Sequence, residues 1–407
     1  MLKKITLLFI FVSSMNLFSH EVKLGIDRLQ NPEILKSLEG KRIGMLIHRA
    51  SINSEGKHLI DLVSESELLK GSLIFTPEHG LRGEGDDFME DGVDQKSKLP
   101  YYSLYTKKRK GPLKEHLDKI DVLLVDLQDV GVRYYTYVST LSLVLEKISS
   151  FKSKVKVIVL DRPNPIGGEV VSGPILSESL IGPLMAYLPI PFQHGMTIGE
   201  LGEYIVQLKK LEVDYSVVKM KGWHRQMKWS DTSLLWTASS PALPSILQVE
   251  LYSLFGLFES FNLAVGRGVT NGMAFKIYGA PWIEGHQASA LVEKLNSLNL
   301  FGLKFFSVSW IPTRREYLGQ NCHGLRVEYD STIHLSNPFK ITWEVASTLI
   351  QFFGDKLRFK RTTPLMIGDD LVFRALGTQS FSFARSLYGD QLSKFKSERQ
   401  RFLIYPN

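Results

Sequence analysis

Acidic residues that follow predicted strands are the first sign of chemistry in this chain. Glu78, Asp129 and Asp161 each stand within three residues of the end of a different short, apolar run. The carboxyl ends of parallel strands meet at one edge of a sheet, so we expect these side chains to share a rim. Glycoside hydrolysis uses two carboxyl groups, one to protonate the leaving oxygen and one to attack the sugar or activate water. The pattern therefore favours a glycosidase.

Glu78, in the turn Pro77-Glu78-His79-Gly80, is the candidate general acid. A general acid must hold its proton near neutral pH, and burial or a like-charged neighbour can arrange this. We hypothesise that Asp126 or Asp129 lies close enough to Glu78 to have that effect. The alternative interpretation is that Glu78 caps a helix or forms a loop ion pair.

The same loops carry residue types that suit sugar binding. Arg133 and Arg162 could bind a carboxylate with two parallel hydrogen bonds, and the lactyl group of muramic acid is one such carboxylate. Pairing of Arg162 with a nearby acid is an equal alternative. Tyr134 and Tyr135 could stack on sugar faces, with one of them expected in the core. The other polar candidates in these loops are His79, Gln128, Asn164 and His194, and His194 equally suits a turn before a helix.

Composition and motifs argue against several other functions. A formal charge of +7 over 407 residues does not call for nucleic acid as a partner, and the single cysteine, Cys322, excludes an intrachain disulfide. Dinucleotide, phosphate-loop, zinc-protease and serine-hydrolase motifs are absent from the sequence. The acidic loop 84–94 departs from a calcium-binding loop at Met89 and Lys98. We therefore expect neither a metal nor a cofactor.

The elements that must position these loops are predicted to form an α/β sheet. Short β-branched runs predict parallel strands buried on both faces, and the amphipathic stretches between them predict helices. A capping box at Thr197 and Glu200 marks the start of one helix. This alternation predicts a Rossmann-like, doubly wound parallel sheet with right-handed crossovers. The strands are predicted at 42–48, 72–76, 121–126, 155–160 and 215–219, and the helices at 58–69, 113–119, 136–149 and 198–211.

The rhythm changes after about residue 235, where a loop rich in Ser and Pro spans 239–245. Such a loop marks a domain boundary. We predict a Rossmann-like catalytic domain at 21–238, followed by a smaller α+β domain at 239–407. In this second domain the patterns predict helices at 342–357 and 365–376 and strands at 303–310 and 324–329.

Residues 1–20 have the order of a secretory signal. Lys3 and Lys4 precede a short apolar run, and small residues follow it. The run is too short to span a bilayer comfortably, although an N-terminal membrane anchor is the alternative. No later segment is apolar over enough residues to be a transmembrane helix. We therefore expect a periplasmic or secreted protein that is not stably inserted in a membrane once the leader is removed.

Six segments carry motifs in a fixed order, and they are densest between residues 75 and 201. They lie at 75–83, 99–105, 126–137, 160–168, 189–201 and 279–282. Together they resemble the exo-β-N-acetylmuramidase family, the NamZ/YbbC-like proteins once called a domain of unknown function. The likeness covers nearly the whole mature chain. Several long motifs in the right order are far more specific than any single short one.

The resemblance implies an enzyme that releases N-acetylmuramic acid (MurNAc) from the non-reducing ends of peptidoglycan fragments. Its partners would be MurNAc–GlcNAc glycans, where GlcNAc is N-acetylglucosamine. The family fold implies a Rossmann-like domain beside a smaller α/β domain, with the active site in the cleft between them. The family's proposed catalytic glutamate lies in a Glu-His-Gly motif and falls on Glu78. Asp129 and Tyr135 are, by position, the candidates for its catalytic partner.

Two loops of the second domain depart from the family pattern. Asn262 and Arg267 survive in a glycine-bearing loop and are candidates for substrate binding, but Ala264 replaces a small hydroxyl residue. In the boundary loop Ala242 replaces an asparagine. Lost polar groups weaken discrimination between substrates. A muropeptide-binding protein without activity, or a glycosidase of altered specificity, is therefore the alternative. A nucleotide-dependent enzyme is disfavoured because no glycine-rich turn follows the first strand.

Overall fold

The computed structural model describes residues 21–81, 90–106, 111–269 and 272–407. The predicted signal at 1–20 and most of the acidic loop lie outside the described residues. The strands are β1 (Arg42–Ile47), β2 (Lys70–Thr76), β3 (Gly92–Val93), β4 (Pro100–Ser103), β5 (Val122–Asp126), β6 (Lys156–Leu160), β7 (Ser172–Ile175), β8 (Pro191–Gln193), β9 (Tyr215–Val218), β10 (Ile277–Ala280), β11 (Leu303–Trp310) and β12 (Cys322–Tyr329). The helices are α1 (Pro32–Leu38), α2 (Leu59–Ser64), α3 (Lys114–Leu117), α4 (Tyr137–Ser150), α5 (Ile198–Leu208), α6 (Ile246–Phe255), α7 (Gly285–Ser297), α8 (Pro338–Phe353), α9 (Thr363–Ile367), α10 (Asp370–Ala375) and α11 (Phe381–Glu398).

Seven strands form one sheet in the order β3-β4-β2-β1-β5-β6-β9. Neighbouring strands are parallel except for the edge pair β3 and β4. The chain moves outward from β1 through β2 to β4 and then returns to the other side of β1 with β5. The winding direction therefore reverses between β1 and β5, which makes this the topological switch point of the sheet. This arrangement confirms the Rossmann-like prediction.

Helices cover both faces of the large sheet because its central strands are apolar on both sides. All of β5 is buried. On one face Leu124 belongs to a hydrophobic cluster that includes Ile60 of α2. On the other face Leu123 packs in a second cluster with Leu141 of α4 and Leu201 of α5. The loops at the carboxyl ends of the strands therefore rest on a rigid, fully covered sheet.

The second half contains a three-stranded antiparallel sheet in the order β10-β12-β11. Phe305 of β11, Leu291 of α7 and Trp343 of α8 share one hydrophobic cluster with residues beneath the large sheet. A smaller α+β part therefore follows the parallel sheet, as predicted, and a continuous core joins the two parts. The predicted boundary at 238–239 falls in the loop before α6 and stays a prediction.

The C-terminal residues are attached to the first half of the chain. Helix α5 begins at the predicted capping box, where Thr197 accepts from the Glu200 amide and Glu200 accepts from the Thr197 amide. A second oxygen of Glu200 accepts a hydrogen bond of 2.9 Å from the Ile404 amide. The Tyr405 hydroxyl donates to Asp161 over 2.7 Å. The end of the chain thus stabilises the loop that follows β6.

Several elements differ from the sequence predictions for identifiable reasons. The helix predicted at 365–376 is two helices, because Gly368 ends α9 with a left-handed backbone (φ 99°). Helix α6 was missed because it is buried almost all round and shows no amphipathic period. The predicted helix at 58–69 ends at Ser64. The patterns predict which helices and strands exist more reliably than where those elements begin and end.

Candidate active site

A cleft of about 360 Å³ lies between the loop after β2, the start of α4 and residues of the second half. Four of the predicted site residues line it: Glu78, His79, Tyr135 and Arg267. The other lining residues come from both halves and are Tyr105, Thr106, Tyr134, Thr136, Pro183, Leu184, Met185, Ser240, Ala242, Leu243, Tyr252, Glu259 and Phe275. The cleft is therefore walled by both parts of the molecule.

The turn that carries Glu78 has an unusual backbone. Strand β2 ends at Thr76, and His79 and Gly80 then both adopt left-handed conformations, with φ of 74° and 71°. A residue with a Cβ atom rarely occupies this region, and such strain is concentrated at functional sites. The turn places the half-buried side chain of Glu78 in the cleft.

Two hydroxyl groups hold the Glu78 carboxylate. Thr136 Oγ1, just before α4, donates to Glu78 Oε2 over 2.7 Å. The Tyr105 hydroxyl also hydrogen-bonds to Glu78, and burial together with the negative charge of Glu78 raises the pKa of Tyr105. Tyr105 is therefore a neutral donor at physiological pH. Among the described residues, the hydrogen-bond partners of the Glu78 carboxylate are these hydroxyls, whereas the hypothesis placed Asp126 or Asp129 beside it.

Tyr135 lies in the cleft wall and stays protonated. Burial raises the pKa of its phenol well above the usual value, and the charges of Asp129 and Glu78 act in the same direction. The neighbouring hydroxyls of Ser239 and Tyr137 oppose this shift only in part. Tyr135 therefore presents a neutral hydroxyl that senses both candidate carboxylates.

Asp129 is buried and does not line the cleft. Its Oδ2 accepts from the Gly131 amide over 2.8 Å and lies 3.3 Å from His194 Nε2. His194 Nδ1 accepts from the Met196 amide, so the ring proton of neutral His194 is on Nε2, beside Asp129. That N–H is not aligned for a hydrogen bond, and Asp129 Oδ1 is buried without a partner. The carboxylate acts on the cleft through its charge on Tyr135.

The wall from the second half carries an ion pair. Arg267 Nη1 contacts Glu259 Oε1, and both side chains are mostly buried, with 21% and 23% exposed. Arg267 is the one arginine or lysine among the described residues of the cleft wall. The paired carboxylate fixes the position of the guanidinium group, which is then ready to meet an anionic group of a ligand.

Two other predicted binding residues line a separate pocket of about 230 Å³. It lies at the reversal between β1 and β5, and we call it the switch-point pocket. Gln128 follows β5 and Arg162 follows β6. The remaining lining residues are Leu24, Ala50, Ile52, Asn53, Ser54, Gly56, Trp229, Leu234, Leu235, Trp236 and Thr237.

Arg162 forms the structural pair that was the alternative to substrate binding. Its Nη2 donates to Asp126 Oδ2 over 2.9 Å, its Nε to the other oxygen of Asp126, and Nη2 also donates to the Ile52 carbonyl over 2.7 Å. Asp126 is fully buried. The Gln128 amide group donates to the carbonyls of Asp129 and Pro163.

Three further candidates lie outside both pockets and make hydrogen bonds within the protein. Arg133 is buried and donates to the carbonyls of Met366 and Ile367 at the end of α9, and burial lowers its pKa to about 9. Asn164 donates to the Met196 carbonyl. Asn262 bridges the backbone of Lys356 and Arg358. These contacts connect distant segments, and the substrate roles of the three residues stay predictions.

The sequence reasoning missed several residues of the cleft. Tyr105 and Thr136 lie within the motif segments 99–105 and 126–137, but hydroxyl residues there carry no signature of their own. Glu259 and Tyr252 are distant in sequence from Glu78, and only the packing of α6 and the following turn brings them to the cleft. Their spacing along the chain contained no signal that could have found them.

Within the described ranges, no cluster of three or more His, Cys, Asp or Glu side chains is arranged to hold a metal ion. In the same part of the chain, no helix combines the length and the apolar character needed to cross a bilayer.

Comparison with known proteins shows to which family the chain belongs. The family model "Exo-beta-N-acetylmuramidase NamZ, N-terminal" matches residues 43–247, and the corresponding C-terminal model matches residues 250–405. The chain belongs to the NamZ family. It is 36% identical over 391 residues to the peptidoglycan β-N-acetylmuramidase NamZ of Bacillus subtilis (strain 168), covering 95% of this chain and 92% of that protein. The family resemblance and the expectation of a glycoside hydrolase are confirmed.

Solved structures of related chains share the NamZ-family fold seen here. A DUF1343 family protein from Bacteroides fragilis NCTC 9343 superimposes with a TM-score of 0.83 at 28% identity, covering 95% of this chain and 99% of its own. A second DUF1343 protein from the same organism gives a TM-score of 0.74 at 26% identity with the same coverage. The two-part architecture is therefore that of these proteins.

Proposed function

We propose that this NamZ-family chain removes MurNAc from the non-reducing ends of peptidoglycan fragments, with Glu78 as the acid/base. One observation carries the proposal. Glu78 stands on a strained turn in the cleft between the two halves, held by two neutral hydroxyls. Such a carboxyl group has a fixed position and forms no ion pair with any described cation. It can therefore exchange a proton with a sugar oxygen.

In this proposal the cleft residues have distinct tasks. Tyr105 and Thr136 orient the Glu78 carboxyl group toward the glycosidic oxygen. Tyr135 lines the cleft beside the same sugar, and burial together with the charge of Asp129 keeps its buried hydroxyl neutral. Hydrogen bonds that strengthen as charge develops on the sugar ring stabilise the transition state.

Arg267 is the proposed partner of the lactyl carboxylate that distinguishes MurNAc from GlcNAc. The guanidinium group faces the cleft from the second half, whereas Arg133 and Arg162 are used within the protein. Charge-assisted hydrogen bonds to a carboxylate are strong and geometrically specific. Recognition of MurNAc would thus come from one domain and acid/base chemistry from the other.

The cleft offers apolar surface to a sugar ring. Aromatic and apolar side chains, including Tyr252, Phe275 and Leu243, form its wall on the second-half side. Action at chain ends is supported by the similarity to the exo-β-N-acetylmuramidase family. We also propose that residues 1–20 direct export to the periplasm or beyond, which sequencing the N-terminus of the mature protein would test.

The decisive experiment measures MurNAc release from a MurNAc–GlcNAc disaccharide by the protein and by Glu78→Gln. General acid/base catalysis typically contributes a factor of about 10²–10⁴, so we expect a loss of that size. Glu146→Gln is the matched control. Glu146 is also held by two hydroxyls, those of Ser142 and Tyr187, and in addition pairs with Lys209, but it lies outside the cleft.

Each outcome has a definite meaning. Turnover lost in Glu78→Gln and kept in Glu146→Gln supports both the activity and the residue. Turnover that survives in Glu78→Gln would support the activity but reject Glu78 as its acid. Binding of the disaccharide without any release would favour a muropeptide-binding protein.

A further inference from the structure

The switch-point pocket is built like a ligand site and is separate from the cleft. It lies beyond the carboxyl ends of β1 and β5, where doubly wound sheets bind their ligands. Its lining residues do not overlap with those of the cleft. It therefore needs an occupant of its own.

Two tryptophans form an aromatic corner in this pocket. The rings of Trp229 and Trp236 are perpendicular, with centroids 5.0 Å apart. Their indole N–H groups already donate to the carbonyls of Leu234 and Leu243, over 3.0 and 2.9 Å. What the rings offer a ligand is therefore apolar surface, suited to a planar group or to the C–H face of a sugar.

Gln128 supplies an unused acceptor. The side chain is 1% exposed, and its Nε2 donates to two carbonyls, which fixes the orientation of the amide. Its Oε1 is buried and has no hydrogen-bond partner. An unsatisfied buried acceptor is costly, so a hydroxyl or N–H group of a ligand at this position would be favourable.

The charges in the pocket select against anions. Arg162 is the one arginine or lysine among its described lining residues, and Asp126 binds that guanidinium with both carboxylate oxygens. The free oxygen of Gln128 would repel a carboxylate or a phosphate. The preferred ligand is therefore uncharged and rich in hydrogen-bond donors.

We propose that the switch-point pocket is a second, non-catalytic saccharide site that binds a neutral N-acetylated pyranose, GlcNAc. An aromatic wall and a buried amide acceptor match the apolar face and the hydroxyl and N–H donors of such a sugar. The choice of GlcNAc over other neutral pyranoses rests on the proposed function, because GlcNAc is the uncharged sugar of peptidoglycan. MurNAc is excluded by its carboxylate.

The site touches the wall of the cleft from behind. The Trp236 indole N–H donates to the Leu243 carbonyl, and Leu243 lines the cleft. The backbone N–H of Gln128 donates to His48 Nε2, and the Tyr137 hydroxyl contacts both His48 Nδ1 and the Glu78 carbonyl. A sugar in the switch-point pocket would therefore contact elements that also position Glu78.

The test is a calorimetric titration of the purified protein with GlcNAc and, separately, with MurNAc. We expect saturable GlcNAc binding to the unaltered protein and to Glu78→Gln. Binding should weaken at least about tenfold in Trp236→Ala, which removes the aromatic wall. Thr237→Leu provides a second variant, because it narrows the pocket without removing any described hydrogen bond. Trp310→Ala is the matched control, since Trp310 is also half-buried but lies outside both pockets.

The outcomes separate this proposal from the proposed function. Absence of GlcNAc binding to the unaltered protein would overturn the second site. GlcNAc binding that MurNAc displaces and that both pocket variants leave intact would place the sugar in the cleft, and would also overturn it. If the unaltered protein releases no MurNAc but binds GlcNAc in a way that depends on Trp236, the proposed function is rejected and the second site is kept.

Discussion

Two regions of the same sheet edge carry acidic residues, and these residues differ in the hydrogen-bond and ion-pair partners that surround them. After β2, Glu78 is half-buried and held by two hydroxyls. After β5 and β6, Asp126 is bound by Arg162 with both oxygens, and Asp161 accepts from four donors, among them Tyr405. The first carboxylate is available for proton transfer, whereas the other two are saturated. Whether a carboxylate is available for catalysis thus depends on how many of its hydrogen bonds the protein already satisfies, and not on its position after a strand.

The two pockets show the same contrast in their charged groups. The cleft contains an acid and an arginine that a substrate can reach, and its walls come from both halves of the molecule. Both arginines are paired with a carboxylate, but 21% of the Arg267 side chain is exposed and only 3% of the Arg162 side chain. Among the described residues of the switch-point pocket, the buried Gln128 Oε1 has no hydrogen-bond partner. The first arrangement suits an anionic, reacting sugar and the second a neutral, bound one. Four measurements would break or sharpen this comparison.

The largest effect is expected from Arg162→Met, which leaves the buried Asp126 carboxylate without its partner. Removing one member of a buried ion pair destabilises a protein by roughly 3–5 kcal/mol. The exposed pair Arg42–Asp121 is the matched control, and Arg42→Met should destabilise the protein far less, because solvent screens an exposed ion pair. Urea unfolding measures both values. Equal, small losses in the two variants would show that the charge pair after β5 is not structural.

The second effect is a pH dependence of stability that originates at Asp161. Burial, with a smaller contribution from the charge of Glu200, raises the pKa of Asp161 in the folded protein from 3.8 to about 6. The hydrogen bonds from Tyr405, Thr197 and Gly199 lower the pKa but are outweighed by burial. Folding therefore favours the protonated form, and the stabilisation is complete below about pH 4 and is lost as the pH rises through about 6. This corresponds to roughly 3 kcal/mol.

The measurement for Asp161 is the difference in unfolding free energy between the protein and Asp161→Asn at several pH values. That difference should be larger at pH 4 than at pH 7 by about 2 kcal/mol, because more than half of unfolded-state Asp161 is already ionised at pH 4 and asparagine does not titrate. A difference that stays constant with pH would show that Asp161 is ionised in the folded protein throughout this range.

Arg267→Gln should raise KM for MurNAc-terminated substrates by about 10- to 100-fold, because a hydrogen bond to a charged group is worth roughly 1.5–3 kcal/mol. GlcNAc-terminated substrates lack the lactyl carboxylate, so their KM should change little. The double variant with Glu259→Gln avoids leaving an unpaired carboxylate in the cleft. A comparable increase in KM for both kinds of substrate would show that Arg267 does not recognise the lactyl group.

Tyr105→Phe is expected to have the smallest effect, a loss in kcat of about five- to tenfold, since one neutral hydrogen bond contributes about 1 kcal/mol. Tyr187→Phe removes a similar bond to Glu146 outside the cleft and should leave kcat unchanged. A kcat in Tyr105→Phe equal to that of the unaltered protein would mean that Tyr105 only packs.

Local patterns predicted the elements that have a clear period and the loops that follow them. The parallel strands, the capping box at Thr197 and the turn at Glu78 all follow from short stretches of chain. Helix α6 was missed because burial on every side removes the polar face that periodicity needs. The site prediction gathered Glu78, Gln128 and Arg162 at one rim, but two pockets divide them.

The sequence by itself determined the family, the sheet and the identity of the groups available for chemistry, because these depend on motifs and on neighbours along the chain. Only the tertiary structure decided which of those groups remain available. Whether Arg162 meets a substrate or Asp126, and whether Glu78 meets a cation or two hydroxyls, depends on side chains far away in sequence. Hydrogen bonds and ion pairs form between atoms that folding brings within about 3 Å, and a linear pattern does not contain those distances.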